Sequence, residues 1–250
     1  AGKAELGRIN TELSNAFTGF GQKVVADENT WTVIADEAGL KGLPESNKAA
    51  AAAAARTRNV QGWAIVNTRS SVDPFLTFAD DRALRHQVWT KFAKRRANGD
   101  ANDTKSTIAR IVALRQQRAR LLGFSNHAEW RMQDTMAKTP AAAMDLMQRV
   151  WAPAKARVAE EVADMKAIAG HDIEPWDYLY YAEKVRKAKY DLDQNELKPY
   201  FELHAVRAAS FYMAERLYGF VFKQLPKGTV STFEPDVTTY EVTDKAKIGR

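Results

Sequence analysis

Glu174 to Phe201 reads EPWDYLYYAEKVRKAKYDLDQNELKPYF and sets seven aromatic rings among eleven charged side chains. Trp176 to Tyr190 reads as a helix. Trp176, Tyr180 and Tyr190 fall at helix-compatible separations, so their rings are expected to pack between helices while Lys and Arg face water. Just beyond lie Asp191 and Asp193, two acids flanking one leucine. Paired carboxylates can divide acid and base work between them. Nothing nearby would split their pKa values, so a cap and a turn is the better reading. The stretch is expected to be wall rather than catalytic machinery.

Helical spacing continues on both sides. Leu6, Ile9, Leu13, Phe17, Phe20 and Val24 form one apolar stripe on a long first helix. A short β-like run and a Gly/Pro-marked loop follow in TWTVIADEAGLKGLPES, and Ser46 is expected to cap an alanine-rich helix. GWAIVNT, residues 62–68, is a second short strand candidate. Asp80 is expected to cap a helix carrying Leu84, Val88 and Phe92. Ile108, Ile111, Val112, Arg115, Ala119 and Leu122 run along another, stopped by Gly123. Asn126 can open a short helix. Thr139 and Pro140 make an N-cap and first-turn pair for a long helix ending near Gly170, with a kink expected at Pro153.

The tail changes character. Phe201 to Tyr218 is helical and closed by Gly219, but FVFKQL and VTTYEVTD read as strands, the second alternating with period two. The final KAKIGR would begin the hairpin partner of the second strand. An unmated strand is an exposed edge, which folded proteins avoid. The tail is therefore expected to hold an incomplete hairpin, with residues from about Val237 pairing with another chain or poorly ordered. The fold class expected is mainly α, organised as residues 1–138 (helices and short strands), 139–219 (long helices) and 220–250 (the start of a small sheet).

Composition narrows the function classes. In 250 residues, 45% apolar and 27% charged, no run of eighteen apolar residues occurs, so a membrane partner is not expected. The N-terminal AGKAELGRIN lacks the basic-then-apolar order of a secretory signal. There is no cysteine, which removes disulfides, thiolate catalysis and Cys-based zinc sites and fits a cytoplasmic location; the periplasm is compatible too. A formal charge of +6 tolerates acidic partners without demanding them. The basic clusters 93–99 and 115–123 suggest nucleic acid at first sight. On the helix, however, Arg115 lies on the apolar stripe while Arg118 and Arg120 diverge from it. A solvated helical face is the better reading, and nucleic acid is not an expected partner.

Motifs for chemistry are missing. His86, His127, His171 and His204 are far apart, and none has a second histidine three or four residues on, the spacing that aims two imidazoles at one zinc ion. There is no Gly-x-Ser-x-Gly elbow, no phosphate-binding Gly-x-x-x-x-Gly-Lys and no Gly-x-Gly-x-x-Gly.

A longer pattern does speak. PWDYLYYAEKVRKAKYDLDQNELKPYFEL, FYMAERLYGFVFKQL and PDVTTYEVTD, with LRQQRARLLGFSNHAEWRMQDTMAKTP, VWAPAKARVAEE, LSNAFTGFGQKV and FLTFADDRALRHQVW upstream, occur here in order. This series resembles the zinc oligopeptidase family of thimet oligopeptidase, oligopeptidase A and bacterial dipeptidyl carboxypeptidase, and is most like the last branch. The resemblance covers nearly the whole chain.

It implies a two-lobed helical fold with a deep channel for short peptides, and a zinc ion held by a His-Glu-x-x-His helix and a later Glu. No His-Glu-x-x-His occurs in this sequence. The chain is therefore expected to be an internal fragment, with no catalytic or metal ligand of its own and with undefined substrate-binding residues. It would supply one lobe and channel wall of a peptidyl-dipeptidase. One zinc ion is expected in the complete enzyme, held outside this chain; the expected partners are the remaining C-terminal catalytic segment and short peptides. A sibling oligopeptidase cutting internally is the alternative. A non-catalytic helical interaction module is the alternative of another class.

Overall fold

The computed structural model describes residues 2–190 and 194–244, and they are mainly helical. They fall into two compact units, Ala1–Tyr190 and Asp191–Arg250.

The first unit holds two apolar clusters. Helix α1 (Gly2–Glu28) lays Ile9 and Leu13 against Ile111 and Leu114 of a later antiparallel neighbour in sequence, the helix Lys105–Leu121. Only the middle of the expected α1 stripe is buried; Phe17 is exposed. Lys23 Nζ donates to Asp103 O at 2.7 Å and Arg118 Nη1 to Asn10 Oδ1 at 3.1 Å, tying both ends of the pair.

The larger cluster is built around a two-stranded antiparallel sheet. Strand β1 (Trp31–Ile34) pairs with β2 (Trp63–Val66) in the register Trp31↔Val66 to Ile34↔Trp63. Gly62, at φ +83°, lets the chain pass the sheet: a Cβ there would stand 2.3 Å from the Ile34 carbonyl oxygen. Three helices cover the sheet: α2 (Glu45–Thr57), α3 (Arg69–Phe78) and α4 (Arg82–Ala93). Ile34, Leu40, Ile65, Val72, Phe75 and Val88 are among the residues enclosed.

Helix α3 is absent from the sequence reading, which passes from the strand straight to Asp80. Its interior Pro74 argues against a helix. Val72, Phe75 and Leu76, all buried at helical spacing, offset that local cost. Two caps also differ from expectation. Asp81, not Asp80, caps α4 by accepting from Leu84 N at 3.0 Å, and the N-cap position of α2 is Pro44, which places Ser46 within the first turn.

The helix Lys105–Leu121 is α5, α6 is His127–Arg131, and α7 is the long Pro140–Ala169. Thr139 accepts from Ala142 N at 3.2 Å, Pro140 opens the first turn, and Gly170 closes the helix at φ 71°. The helix continues through Pro153 as one element. Helix α8 (Tyr178–Tyr190) packs on α7 and α3. It begins two residues later than the aromatic pattern suggests, because Trp176 and Asp177 form the turn before it: Asp177 O accepts from Tyr181 N at 3.0 Å.

The second unit contains α9 (Gln194–Leu197), a 3-10 turn over Lys198–Phe201 and α10 (Leu203–Tyr218). Glu202 Oε2 caps α10, accepting from His204 N at 2.8 Å and Ala205 N at 3.1 Å. Strands β3 (Val221–Gln224) and β4 (Tyr240–Thr243) then pair antiparallel, Val221↔Thr243 to Gln224↔Tyr240. This corrects the expectation for the tail. The mate of the second strand precedes it in the chain; the two apolar faces meet where Phe211 of α10 stacks on Phe222 at 4.1 Å and Tyr240 meets Phe211 edge-on at 4.9 Å. KAKIGR, residues 245–250, lies outside the described residues.

Candidate functional site

The most enclosed polar constellation of the first unit joins α4 to the start of α8. Asp177 and Arg85 are 0% and 1% exposed, so neither can rely on water to stabilise its charge. Arg85 Nη2 donates to Asp177 Oδ1 at 3.0 Å, and Arg82 Nη2 to Asp177 Oδ2 at 2.7 Å. The rest of the Arg85 fork is used as well: Nη1 donates to Ala79 O at 2.8 Å and Nε to Trp176 O at 3.2 Å.

Tyr180 lies over the Arg85 guanidinium, 4.1 Å from carbon to ring centre, and donates its hydroxyl to Asp80 Oδ1 at 2.8 Å. Trp176 packs on His86 at 3.9 Å and on Trp89 at 5.6 Å.

The electrostatics of this junction make it a strut. Burial pushes the Asp177 carboxyl up, but hydrogen bonds from Arg82 and Arg85 outweigh it and hold the group below its ordinary range. Burial, then the hydrogen bond to Asp80, pushes the Tyr180 phenol up to about 12. At neutral pH the acid is locked charged and the phenol locked neutral, so neither shuttles a proton. Trp176 and Tyr180 thus pack between helices as their spacing suggests, whereas Tyr190 is 71% exposed. Asp191 and Asp193 lie outside the described residues. The sequence reading overlooked Asp177; the available signal was Arg82 and Arg85, three residues apart on one face of α4 and in need of an anion.

A zinc site needs several imidazoles or carboxylates converging on one point. Among the described residues no group of three His, Asp or Glu does so. The histidines are engaged separately. His86 stacks on Trp176, His127 sits beside Trp130, His171 donates Nδ1–H to Asp172 O at 2.7 Å, and His204 Nδ1 accepts from Arg207 at 2.8 Å. The described side chains of this chain therefore do not fit a resident metal.

Between α7 and α8 lies a cleft of about 180 Å³, and its acids are likewise committed. Asp164 pairs with Lys189 at 2.5 Å, and Glu161 pairs with Arg157 at 3.3 Å.

Apolar surface is the other prominent feature. Along α7, Met144, Leu146, Met147, Val150 and Trp151 (67% exposed) face outward, and Met165 alone is buried. Along α10, Val206, Tyr212, Met213 and Leu217 are exposed.

Comparison with known proteins gives the family. Residues 75–250 match the model of peptidase family M3. The whole chain aligns at 37% identity with the dipeptidyl carboxypeptidase of Escherichia coli K12, covering 37% of that protein. The dipeptidyl carboxypeptidase of Salmonella typhimurium is 35% identical over 99% of the chain, and oligopeptidase A of Escherichia coli K12 is 30% identical over 96%. The chain spans 36–37% of the length of these relatives. A family match over most of the chain, with relatives that align along nearly all of it, establishes that the chain belongs to peptidase family M3.

Proposed function

We propose that this chain is the helical lobe and channel wall of a zinc-dependent peptidyl-dipeptidase, which hydrolyses short peptides and releases their C-terminal dipeptides. The observation that carries this reading is the alignment of the entire chain with a protein named dipeptidyl carboxypeptidase. The single zinc ion of the complete enzyme is held outside this chain. The chain's contribution is to shape and close the channel, with the Asp177 junction keeping α4 and α8 in fixed relation.

The partner of the chain, on this reading, is the remaining catalytic segment of the polypeptide. The exposed apolar rows of α7 and α10 support it, since such rows are stable when covered. Residues 1–138 and 139–219 are wall. Residues 220–250 begin a small sheet that the partner segment completes; among the described residues the β3–β4 ribbon has no third strand. Short peptides, rather than nucleic acid or a lipid surface, are the ligand class, and the compartment proposed is the cytoplasm. No helix of the described residues is long and apolar enough to cross a membrane.

The test has two arms. The purified chain is expected to bind no stoichiometric zinc by elemental analysis and to leave an N-blocked peptide intact; chelator-sensitive turnover by the chain would refute the division of labour. A longer polypeptide carrying the catalytic segment is expected to release dipeptides from free C-termini, read by mass spectrometry. The similarity to oligopeptidase A favours a second reading, cleavage at internal bonds. Products other than dipeptides, from substrates with amidated C-termini, would select it.

A further inference from the structure

Helices α5 and α6 of the first unit bring together four basic groups that find no acid. Arg115 and Arg118 lie one turn apart on α5; His127 and Arg131 open and close α6. The backbone turns back after Leu122, through Gly123 at φ +86°, and so sets α6 against α5. Three other partly or fully buried guanidinium groups of this unit meet carboxylates: Arg85 meets Asp177, Arg95 meets Glu28 and Arg186 meets Glu183. Arg115, Arg118 and Arg131 form no ion pair with any described residue.

What holds these side chains is aromatic surface. Arg118 and Arg131 lie over Trp130, at 4.5 Å and 5.9 Å, and Arg115 lies over Phe17 at 5.2 Å. The His127 ring is 5.5 Å from Trp130. A ring face engages the flat of a guanidinium and leaves the N–H donors at its edge for another partner. Apart from Arg118 Nη1, which donates to Asn10 Oδ1, none of these side chains makes a hydrogen bond with a described residue, and Arg115 Nε, Arg118 Nε and the His127 Nδ1 atom are buried without a partner.

The nearest acid in sequence, Glu129, accepts from Ser125 N at 3.0 Å and forms no ion pair with these groups. Burial, then the charges of Arg115, Arg118 and Arg131, lowers the His127 pKa. Like charges crowded together with unmade hydrogen bonds are costly unless a counter-charge arrives.

We infer that Arg115, Arg118, Arg131 and His127 form a binding site for an oxyanion, a phosphate or a carboxylate group borne by a ligand from outside the chain. Guanidinium forks suit both, donating paired N–H bonds to two oxygens of the anion. The ring-held edges are already oriented, so little side-chain freedom is lost on binding. The inference is independent of the peptidase reading, because it uses no residue of a catalytic centre.

The four histidines make the test direct, since His127 gives one of four imidazole signals in proton NMR, assigned with His127→Gln. The chain is titrated at constant ionic strength with inorganic phosphate, with succinate and with chloride. A saturable shift of the His127 signal is expected with phosphate or succinate and none with chloride. The arm that saturates at lower concentration names the source of the oxyanion.

Arg118→Gln is expected to weaken binding roughly tenfold or more. Arg131→Gln, at an exposed position that poses no threat to folding, should weaken it as well, while Lys155→Gln on α7 should leave it unchanged. An equal response to all three anions, or one that survives both arginine substitutions, overturns the proposal.

Discussion

Ala1–Tyr190 and Asp191–Arg250 are built from the same kinds of element, yet among the described residues only the first encloses a core. The first surrounds Ile34, Phe75 and Val88 with a sheet and three helices, and it affords a fully buried Asp177–Arg85 pair. In the second, no described residue is fully buried; its best contact is the half-buried trio Phe211, Phe222 and Tyr240. The difference teaches that helix and strand formation do not make a core. One long helix against a two-stranded ribbon has a single apolar layer, and a second layer is needed to exclude water from both sides.

The sharpest way to break that comparison is to truncate one ring in each unit. Phe75→Ala should destabilise the first unit by about 3–5 kcal/mol, the range for a buried ring that leaves a cavity. Phe222→Ala should cost about 1 kcal/mol or less, because only part of its surface leaves water. All six tryptophans lie within residues 1–190, so tryptophan fluorescence in urea follows the first unit and circular dichroism adds the second. Equal losses would show that the second unit has a core after all.

Removing Asp177 probes the polar half of the contrast. Asp177→Ala should cost roughly 3–5 kcal/mol at neutral pH, since Arg85 is left buried and unpaired. Because the folded-state pKa of Asp177 is depressed, its contribution is fully present above the ordinary value, about 3.9, and is lost as pH falls through the folded-state value. Denaturation midpoints of the parent and variant should therefore converge in strong acid. A constant gap across that range would mean that the loss is packing and not charge.

Tyr180→Phe removes a single hydroxyl from the same junction. Losing the bond to Asp80 should cost about 1 kcal/mol. Here the folded-state value is raised, to about 12, so the contribution is present below the ordinary tyrosine value, about 10, and lost as pH rises through about 12. In an alkaline absorbance titration, the parent should show one late phenol ionisation at about 12 that the variant lacks. If the parent and variant titrate identically, the phenol is not part of the junction.

Much of the fold was legible because its signals are local. Ile9 and Leu13 recur at helical spacing, and Thr139, Pro140 and Gly170 bound α7 through bonds that span a few residues. Helix α3 was not legible: Pro74 opposes it locally, and the burial of Phe75 that overrides the proline depends on a sheet formed elsewhere in the chain. The candidate site was harder still. Asp177 meets Arg85 across 92 residues, and Arg115 and Arg118 look divergent on one helix until α6 folds back and sets Arg131 and His127 beside them.

The sequence by itself determined the helical class, most element boundaries and, through an ordered series of long blocks, the family. Each of these depends on periodicity or on neighbours along the chain. Tertiary structure alone decided which charges are paired and which apolar rows are covered. Those outcomes depend on distances between residues far apart in the chain, and a buried charge or an exposed ring has no local signature. The same arginine chemistry is thus a closed strut at Asp177 and an open cluster at Trp130.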